Sequence, residues 1–121
     1  MATILTIDDE VEFTNLIQGY FGARGFKVLT ANEGHSGIAI AKQNMPEIYL
    51  IDLKMPGMHG DEVMKQVLGF QPTAKIIMIT ASEGEGKTRS KLIEEGAYTC
   101  FDKPLTSLRD LEATIKEVLG K

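Results

Sequence analysis

The sequence has almost no cysteine, the residue that stabilises many small domains through disulfide bonds. Cysteine occurs once, as Cys100, among 121 residues, so an internal disulfide is excluded and a reducing compartment is expected. Tryptophan is absent and aromatic residues make up only 7%. The first residues carry no basic leader, and no apolar run is long enough to cross a membrane. We therefore expect a cytoplasmic protein without membrane attachment.

Positively charged residues are fewer than negatively charged ones. Lys and Arg number 13 against 17 Asp and Glu, which gives a net charge of −4. Binding to nucleic acid through phosphate contacts needs a basic surface, so the composition argues against direct nucleic-acid contact. The densest basic group, Lys87, Arg89 and Lys91, has the spacing of a solvated helix face. The length and the 25% of charged residues are typical of one globular domain over residues 1–121.

Five short apolar runs alternate with longer segments of helical period. The runs are rich in Ile, Val, Leu and Thr and are bounded by polar or turn residues, which is typical of strands buried on both faces of a parallel sheet. This alternation predicts a doubly wound α/β fold with helices on both faces of the sheet. The five runs are Thr3–Ile7, Phe26–Thr30, Ile48–Ile51, Lys75–Ile79 and Tyr98–Phe101.

Apolar residues at spacings of three and four predict a helix after each strand. The first apolar face runs through Phe13–Phe21 and includes Leu16. Glycines near the start of the fourth helix are poor helix formers, so this helix is expected to begin late and to direct Leu92 and Ile93 inward. The sequence around Ser107 resembles a capping box at the start of the last helix.

Polar residues follow four of the five predicted strands. Asp8 and Asp9 follow the first strand, Asp52 the third, Thr80 the fourth and Lys103 the fifth. The carboxyl ends of parallel strands meet at one rim of the sheet, so these side chains should lie close together. Clustered carboxylates need a cation or a raised pKa, and an oxygen-only set suits Mg²⁺. An ammonium and a hydroxyl suit phosphoryl oxygens, so the rim is predicted to hold a phosphoryl group on a carboxylate.

Four sequence stretches resemble the receiver domains of bacterial two-component response regulators, and the resemblance covers essentially the whole chain. It implies a flavodoxin-like (βα)5 fold with a five-stranded parallel sheet in the order 2-1-3-4-5. The stretches are IDDE at Ile7–Glu10, IDLKMPGMHG at Ile51–Gly60, ITA at Ile79–Ala81 and DKP at Asp102–Pro104.

The resemblance also implies a role for each acidic residue at the rim. Asp52 would accept a phosphoryl group from a histidine kinase or a histidine phosphotransfer protein. Asp9, Asp52 and the backbone carbonyl of Lys54 would bind Mg²⁺ or Mn²⁺ directly, and Asp8 would act on the metal through water.

Further expectations concern the phosphoryl group and the output of the switch. Thr80 and Lys103 would bind the phosphoryl oxygens, and the Lys103–Pro104 bond would be cis. The face formed by the fourth helix, fifth strand and fifth helix would dock a downstream protein or a second copy on activation. The family usually has an aromatic residue three positions before the lysine, where this chain has Cys100. We interpret Cys100 as a small buried hydrophobe and expect Gly84–Gly86 to carry more of the response.

Other functions are compatible with parts of this pattern. A phosphatase with an aspartyl-phosphate intermediate typically needs an aspartate two residues after its nucleophile, where this chain has Lys54. A receiver that binds proteins without phosphorylation is favoured by Cys100, but the intact acids and Lys103 argue against it. A flavin-binding relative would need a glycine- or hydroxyl-rich loop in place of Asp8 and Asp9. The sequence therefore predicts a phosphoacceptor signalling switch rather than a turnover enzyme.

Overall fold

The structure, a computed structural model, describes residues 2–81 and 86–120 of the chain. Within these residues, five strands and five helices alternate. The strands are β1 (Thr3–Ile7), β2 (Lys27–Ala31), β3 (Ile48–Asp52), β4 (Lys75–Thr80) and β5 (Thr99–Asp102). The helices are α1 (Val11–Gly22), α2 (Gly34–Asn44), α3 (Gly60–Phe70), α4 (Gly86–Glu94) and α5 (Leu108–Val118).

The strands form one parallel sheet in the order β2-β1-β3-β4-β5, which confirms the predicted topology. Side chains of each strand alternate between two apolar clusters, one on each face of the sheet. One cluster packs α2, α3 and α4 against the sheet, and the other packs α1 and α5. All residues of the central strand β3 are buried, because helices cover both of its faces. None of the helices described is long and apolar enough to cross a membrane.

Two side chains that were predicted to face the core are instead exposed. Leu16 is 50% exposed and Ile93 is 43% exposed, although their neighbours Ile17 and Leu92 are buried. Successive residues on an α-helix point about 100° apart, so a helix that lies on a sheet buries one of two adjacent apolar residues. The predictions for Leu16 and Ile93 were therefore wrong.

The predicted cap of α5 is present. The Ser107 hydroxyl accepts a hydrogen bond of 3.2 Å from the backbone N–H of Asp110, which satisfies one of the free donors at the helix start. Helix α4 is described from Gly86 onward, and the residues that would test its predicted late start, 82–85, lie outside the described residues. The other part of the predicted response segment, Gly84 and Glu85, lies outside the described residues.

Candidate functional site

Three aspartates meet at the carboxyl ends of the adjacent strands β1 and β3. One carboxylate oxygen from each of Asp8, Asp9 and Asp52 lies within 4.8 Å of the other two. The strand register pairs Ile7 with Ile51, so Asp8 and Asp52 lie at the same level of the sheet. Asp8 is 1% exposed and Asp52 is 6% exposed, whereas Asp9 is exposed. The sheet topology therefore brings together the three acids that the sequence analysis singled out.

Burial changes the protonation of two of these acids, Asp52 and Asp8. Burial, reinforced by the charge of Asp8, raises the pKa of Asp52 to about 7. Burial also raises the pKa of Asp8, and the hydrogen bond from Lys103 offsets only part of this effect. Both carboxyl groups therefore bind a proton more readily than an exposed aspartate does, mainly because they are buried.

The donor set fits a hard divalent cation. The cluster consists of carboxylates alone, and oxygen ligands are those that Mg²⁺ and Mn²⁺ prefer. A cation at this position would offset the charge of Asp8, which adds to burial in raising the pKa of Asp52. Lys54, whose backbone carbonyl was predicted as a further ligand, lies two residues beyond the end of β3 with its side chain exposed. The rim thus matches the chemistry of a Mg²⁺ site in its charge and its ligand type.

Gly60 at the start of α3 controls how closely this helix approaches Asp52. The Gly60 N–H donates a hydrogen bond of 2.8 Å to the carbonyl oxygen of Leu53. A Cβ atom at position 60 would overlap the backbone carbonyl oxygen of Asp52. Only glycine therefore fits here without a shift of the backbone that carries Asp52. Gly60 lies within the quoted stretch Ile51–Gly60, but no pattern in the sequence indicated this contact.

Lys103 is bound on two sides by carboxylates. Its Nζ atom lies 2.7 Å from Oδ2 of Asp8 and 2.6 Å from Oε1 of Glu10. It also lies 4.6 Å from the ring centroid of Phe13. Burial disfavours the ammonium, but the hydrogen bonds to Asp8 and Glu10 outweigh it and raise the pKa of Lys103. Sequence reasoning missed Glu10 and Phe13, although Glu10 belongs to the quoted IDDE run.

The ends of β4 and β5 are joined at the rim. The backbone N–H of Lys103 donates to the carbonyl oxygen of Thr80 at 2.8 Å. Thr80 is buried at the end of β4, one residue beyond the Asp52–Ile79 register pair. The peptide bond between Lys103 and Pro104 is cis, as predicted.

Cys100 lies in the core beneath α4 and is buried, as predicted. Burial raises the pKa of its thiol. Its carbonyl oxygen accepts a hydrogen bond of 2.6 Å from Arg89 Nη1, and Arg89 Nη2 donates to the Thr99 hydroxyl at 3.1 Å. Arg89 is exposed, as predicted for a solvated helix face, and its guanidinium also links α4 to the edge strand β5.

A parallel sheet of this order, with three acids and a lysine at its rim, defines a doubly wound α/β protein with an acidic cluster that could hold a metal ion. Residues 4–116 match the family model of the response regulator receiver domain. The chain therefore belongs to the receiver-domain family of response regulators. Receiver domains are signalling modules, which interact with histidine kinases and with downstream effectors and bind Mg²⁺ at an acidic pocket.

Curated relatives differ in how much of their length the chain covers. It is 33% identical to the transcriptional regulatory protein CpxR homolog of Haemophilus influenzae, over 100% of this chain and 52% of that protein. It is 35% identical to the response regulator PleD of Caulobacter vibrioides, over 86% of this chain and 23% of that protein. It is 29% identical to sporulation initiation phosphotransferase F of Bacillus subtilis, over 96% of this chain and 92% of that protein.

Solved structures agree with the fold. A response regulator receiver domain from Clostridium thermocellum superimposes with a TM-score of 0.91 at 27% identity, covering 99% of this chain and 95% of that one. The chemotaxis protein CheY4 of Vibrio cholerae gives a TM-score of 0.90 at 26% identity, covering 98% of both chains.

Proposed function

We propose that this chain is a phosphoacceptor switch in which Asp52 receives a phosphoryl group from a histidine kinase or a histidine phosphotransfer protein. The observation that carries the proposal is the position of Asp52. It is a buried carboxylate beside two further acids, and the charge of Lys103 acts on it from the end of β5. Membership of the receiver-domain family supports the same role.

The metal would be held between the ends of β1 and β3. Asp9, Asp52 and the backbone carbonyl of Lys54 are the proposed direct ligands of Mg²⁺ or Mn²⁺, and Asp8 would act through water. When bound, the ion neutralises the carboxylates and withdraws charge from the phosphoryl oxygens. The Asp8 carboxylate already forms an ion pair with Lys103, which is compatible with a contact to the metal through water.

The proposed chemistry is an in-line displacement at phosphorus. The deprotonated Asp52 carboxylate attacks, and a new O–P bond forms while the P–N bond to the partner's histidine breaks. The leaving imidazole keeps the electron pair and takes up a proton from solvent. The Lys103 ammonium neutralises one phosphoryl oxygen and the Thr80 hydroxyl donates to another, because this transfer depends mainly on positioning and charge. Attack by water later releases inorganic phosphate and restores the carboxylate.

The output would be conformational. Phosphorylation adds about two negative charges and new acceptor oxygens at the rim. The hydroxyl of Thr80 and the ammonium of Lys103 would turn toward them, and both residues lie at strand ends that adjoin the face of α4, β5 and α5. This face is the proposed docking surface for a downstream protein or for a homodimer. On this proposal residues 1–121 act as one cytoplasmic receiver module that turns over no substrate and contacts no nucleic acid.

The test is to incubate the protein with Mg²⁺ and acetyl phosphate and to measure its intact mass. The wild type should gain one phosphoryl group, and Asp52→Asn should gain none. Asp110→Asn is the matched control, because Asp110 is an exposed aspartate in the first turn of α5. A wild type that gains no mass, or an Asp52→Asn variant that still does, would contradict the proposal.

One observation favours a second function. Cys100 is small and buried where the family usually has an aromatic residue, which is compatible with a module that binds proteins without phosphorylation. In the same experiment, Mg²⁺ binding to the wild type without any gain of phosphoryl mass would favour this alternative.

A further inference from the structure

We infer that Glu10 is a positioning residue that competes with the phosphoryl group for the ammonium of Lys103. The inference rests on the proposed function of Asp52. Lys103 Nζ lies 2.7 Å from Asp8 and 2.6 Å from Glu10, whereas its effect on Asp52 is exerted through charge alone. In the part of the chain that the structure describes, the lysine forms no ion pair with Asp52. Its ammonium must therefore redistribute its contacts when a phosphoryl group arrives.

The two carboxylate partners of Lys103 differ in how firmly they are held. Asp8 is fully buried, and its Oδ1 atom accepts a hydrogen bond of 2.9 Å from the backbone N–H of Glu10. The Glu10 side chain is 65% exposed, so its contact with Lys103 is open to solvent. Ion pairs open to solvent contribute little free energy and are easily exchanged. The Glu10 contact is thus the one that a phosphoryl oxygen can replace, while the Asp8 contact stays.

The surroundings of Lys103 restrict it to a small range of positions. The ring of Phe13 lies 4.6 Å from Nζ and attracts the cation, and the backbone N–H of Lys103 is bound to Thr80. The ammonium therefore has few positions available to it, and Glu10 occupies one of its donors. A phosphoryl oxygen and the Glu10 carboxylate are both negatively charged, so they compete for the Lys103 ammonium.

Glu10→Gln tests this competition because glutamine keeps the size and one acceptor oxygen but removes the charge. At saturating Mg²⁺, the variant should bind beryllium fluoride, a tetrahedral mimic of the phosphoryl group, about two- to fivefold more tightly than the wild type. Binding is measured by fluorine NMR of the bound fluoride. Glu12→Gln is the matched control, since Glu12 is an exposed acid two residues further along the chain, and it should change the affinity by less than about 1.5-fold.

A second readout reports on the lysine itself. The carbon and proton NMR signals of the Lys103 Cε group, assigned with Lys103→Arg, should shift in Glu10→Gln and stay unchanged in Glu12→Gln. Equal tightening in both variants would show a general charge effect and would overturn the inference. Unchanged or weaker binding in Glu10→Gln, beside a wild type that binds the mimic, would overturn the inference alone. A folded wild type that does not bind the mimic would overturn the proposed function as well.

Discussion

The rim at the ends of β1 and β3 and the edge formed by α4 and β5 are built in different ways. At the rim, Asp8 and Asp52 are buried at the ends of β1 and β3, which have a strand neighbour on both sides. At the edge, β5 has one strand neighbour among the described residues, and α4 packs against it through buried Leu92 and the guanidinium of Arg89. The groups proposed for chemistry are therefore fixed by the core, whereas the surface proposed for output depends on a few contacts that can be exchanged.

Gly60→Ala tests how rigid the rim is and should lower the free energy of unfolding more than any other variant considered. The added Cβ would overlap the Asp52 carbonyl oxygen, and backbone cannot rotate away as a side chain can. We expect a loss of about 3 kcal/mol or more in the free energy of unfolding, at the upper end for overpacking, measured by urea denaturation.

The matched control for Gly60 lies in the same helix. Gly69 in α3 has open space around its Cα, so Gly69→Ala should stabilise the protein by up to about 1 kcal/mol through helix propensity. If both alanine variants stabilise the protein, then the backbone around Asp52 adapts to the added methyl group, and the contrast between a rigid rim and an adaptable edge is lost.

Leu92→Ala and Ile93→Ala test how α4 is attached to the sheet. Leu92 is buried in the cluster beneath α4, so its truncation should cost about 2–3 kcal/mol. Ile93 is exposed, so its truncation should cost less than about 1 kcal/mol. Thermal or urea unfolding of the two variants measures the difference. Similar costs at the two positions would mean that the burial pattern of α4 in solution differs from that in the structure.

The sequence patterns were sufficient for the alternation of strands and helices and for the choice of the rim residues, whereas the strand order was implied only by the resemblance to receiver domains. Continuous apolar runs identify strands covered on both faces, and the residue that follows each run reaches the rim by topology alone. Asp8, Asp52 and Lys103 could be predicted for this reason, without any knowledge of side-chain positions. The core positions in α1 and α4 were less certain, because adjacent apolar residues such as Leu92 and Ile93 give the same periodic signal.

Contacts between side chains distant in sequence could not be predicted. Glu10 and Lys103 are 93 positions apart, and their pairing depends on how a long side chain crosses from β5 to α1. The clash that excludes a Cβ at Gly60 depends on a distance between two backbones. The bond from Arg89 to the Cys100 carbonyl depends on which face of α4 is turned toward β5. Periodicity and composition contain no information on these three distances.

The pKa of Asp52 gives the stability of the protein a pH dependence that originates at the rim. In the unfolded chain this carboxyl has a pKa of 3.8, and in the folded protein burial raises it to about 7. The folded protein binds the Asp52 proton more tightly than the unfolded chain does, and this difference stabilises the fold. The stabilisation is complete below pH 3.8 and is lost as the pH rises through about 7. In chelator, wild type should lose on the order of 2 kcal/mol of stability between pH 5 and 8, and Asp52→Asn should lose much less.

Metal should reverse this pH dependence. A cation binds the deprotonated carboxylates, so saturating Mg²⁺ should raise the melting temperature more at pH 8 than at pH 5. Asp110→Asn should behave like the wild type in both series, since Asp110 lies away from the cluster. A wild-type profile that stays flat in chelator, or equal Mg²⁺ shifts at both pH values, would contradict the charge assignment at the rim.

Arg89→Ala should have the smallest effect on stability and the most local one. It removes the hydrogen bonds to the Cys100 carbonyl and the Thr99 hydroxyl, and the exposed position lets water replace them, so we expect a cost of about 1 kcal/mol. Amide hydrogen exchange should accelerate in α4 and β5 and stay unchanged in β1 and β3. Lys91→Ala, an exposed cation on the same helix, should leave both regions unchanged. Faster exchange that extends into β1 and β3 would show that the edge and the rim are coupled, because the loss of one guanidinium would then loosen strands on which the acids depend.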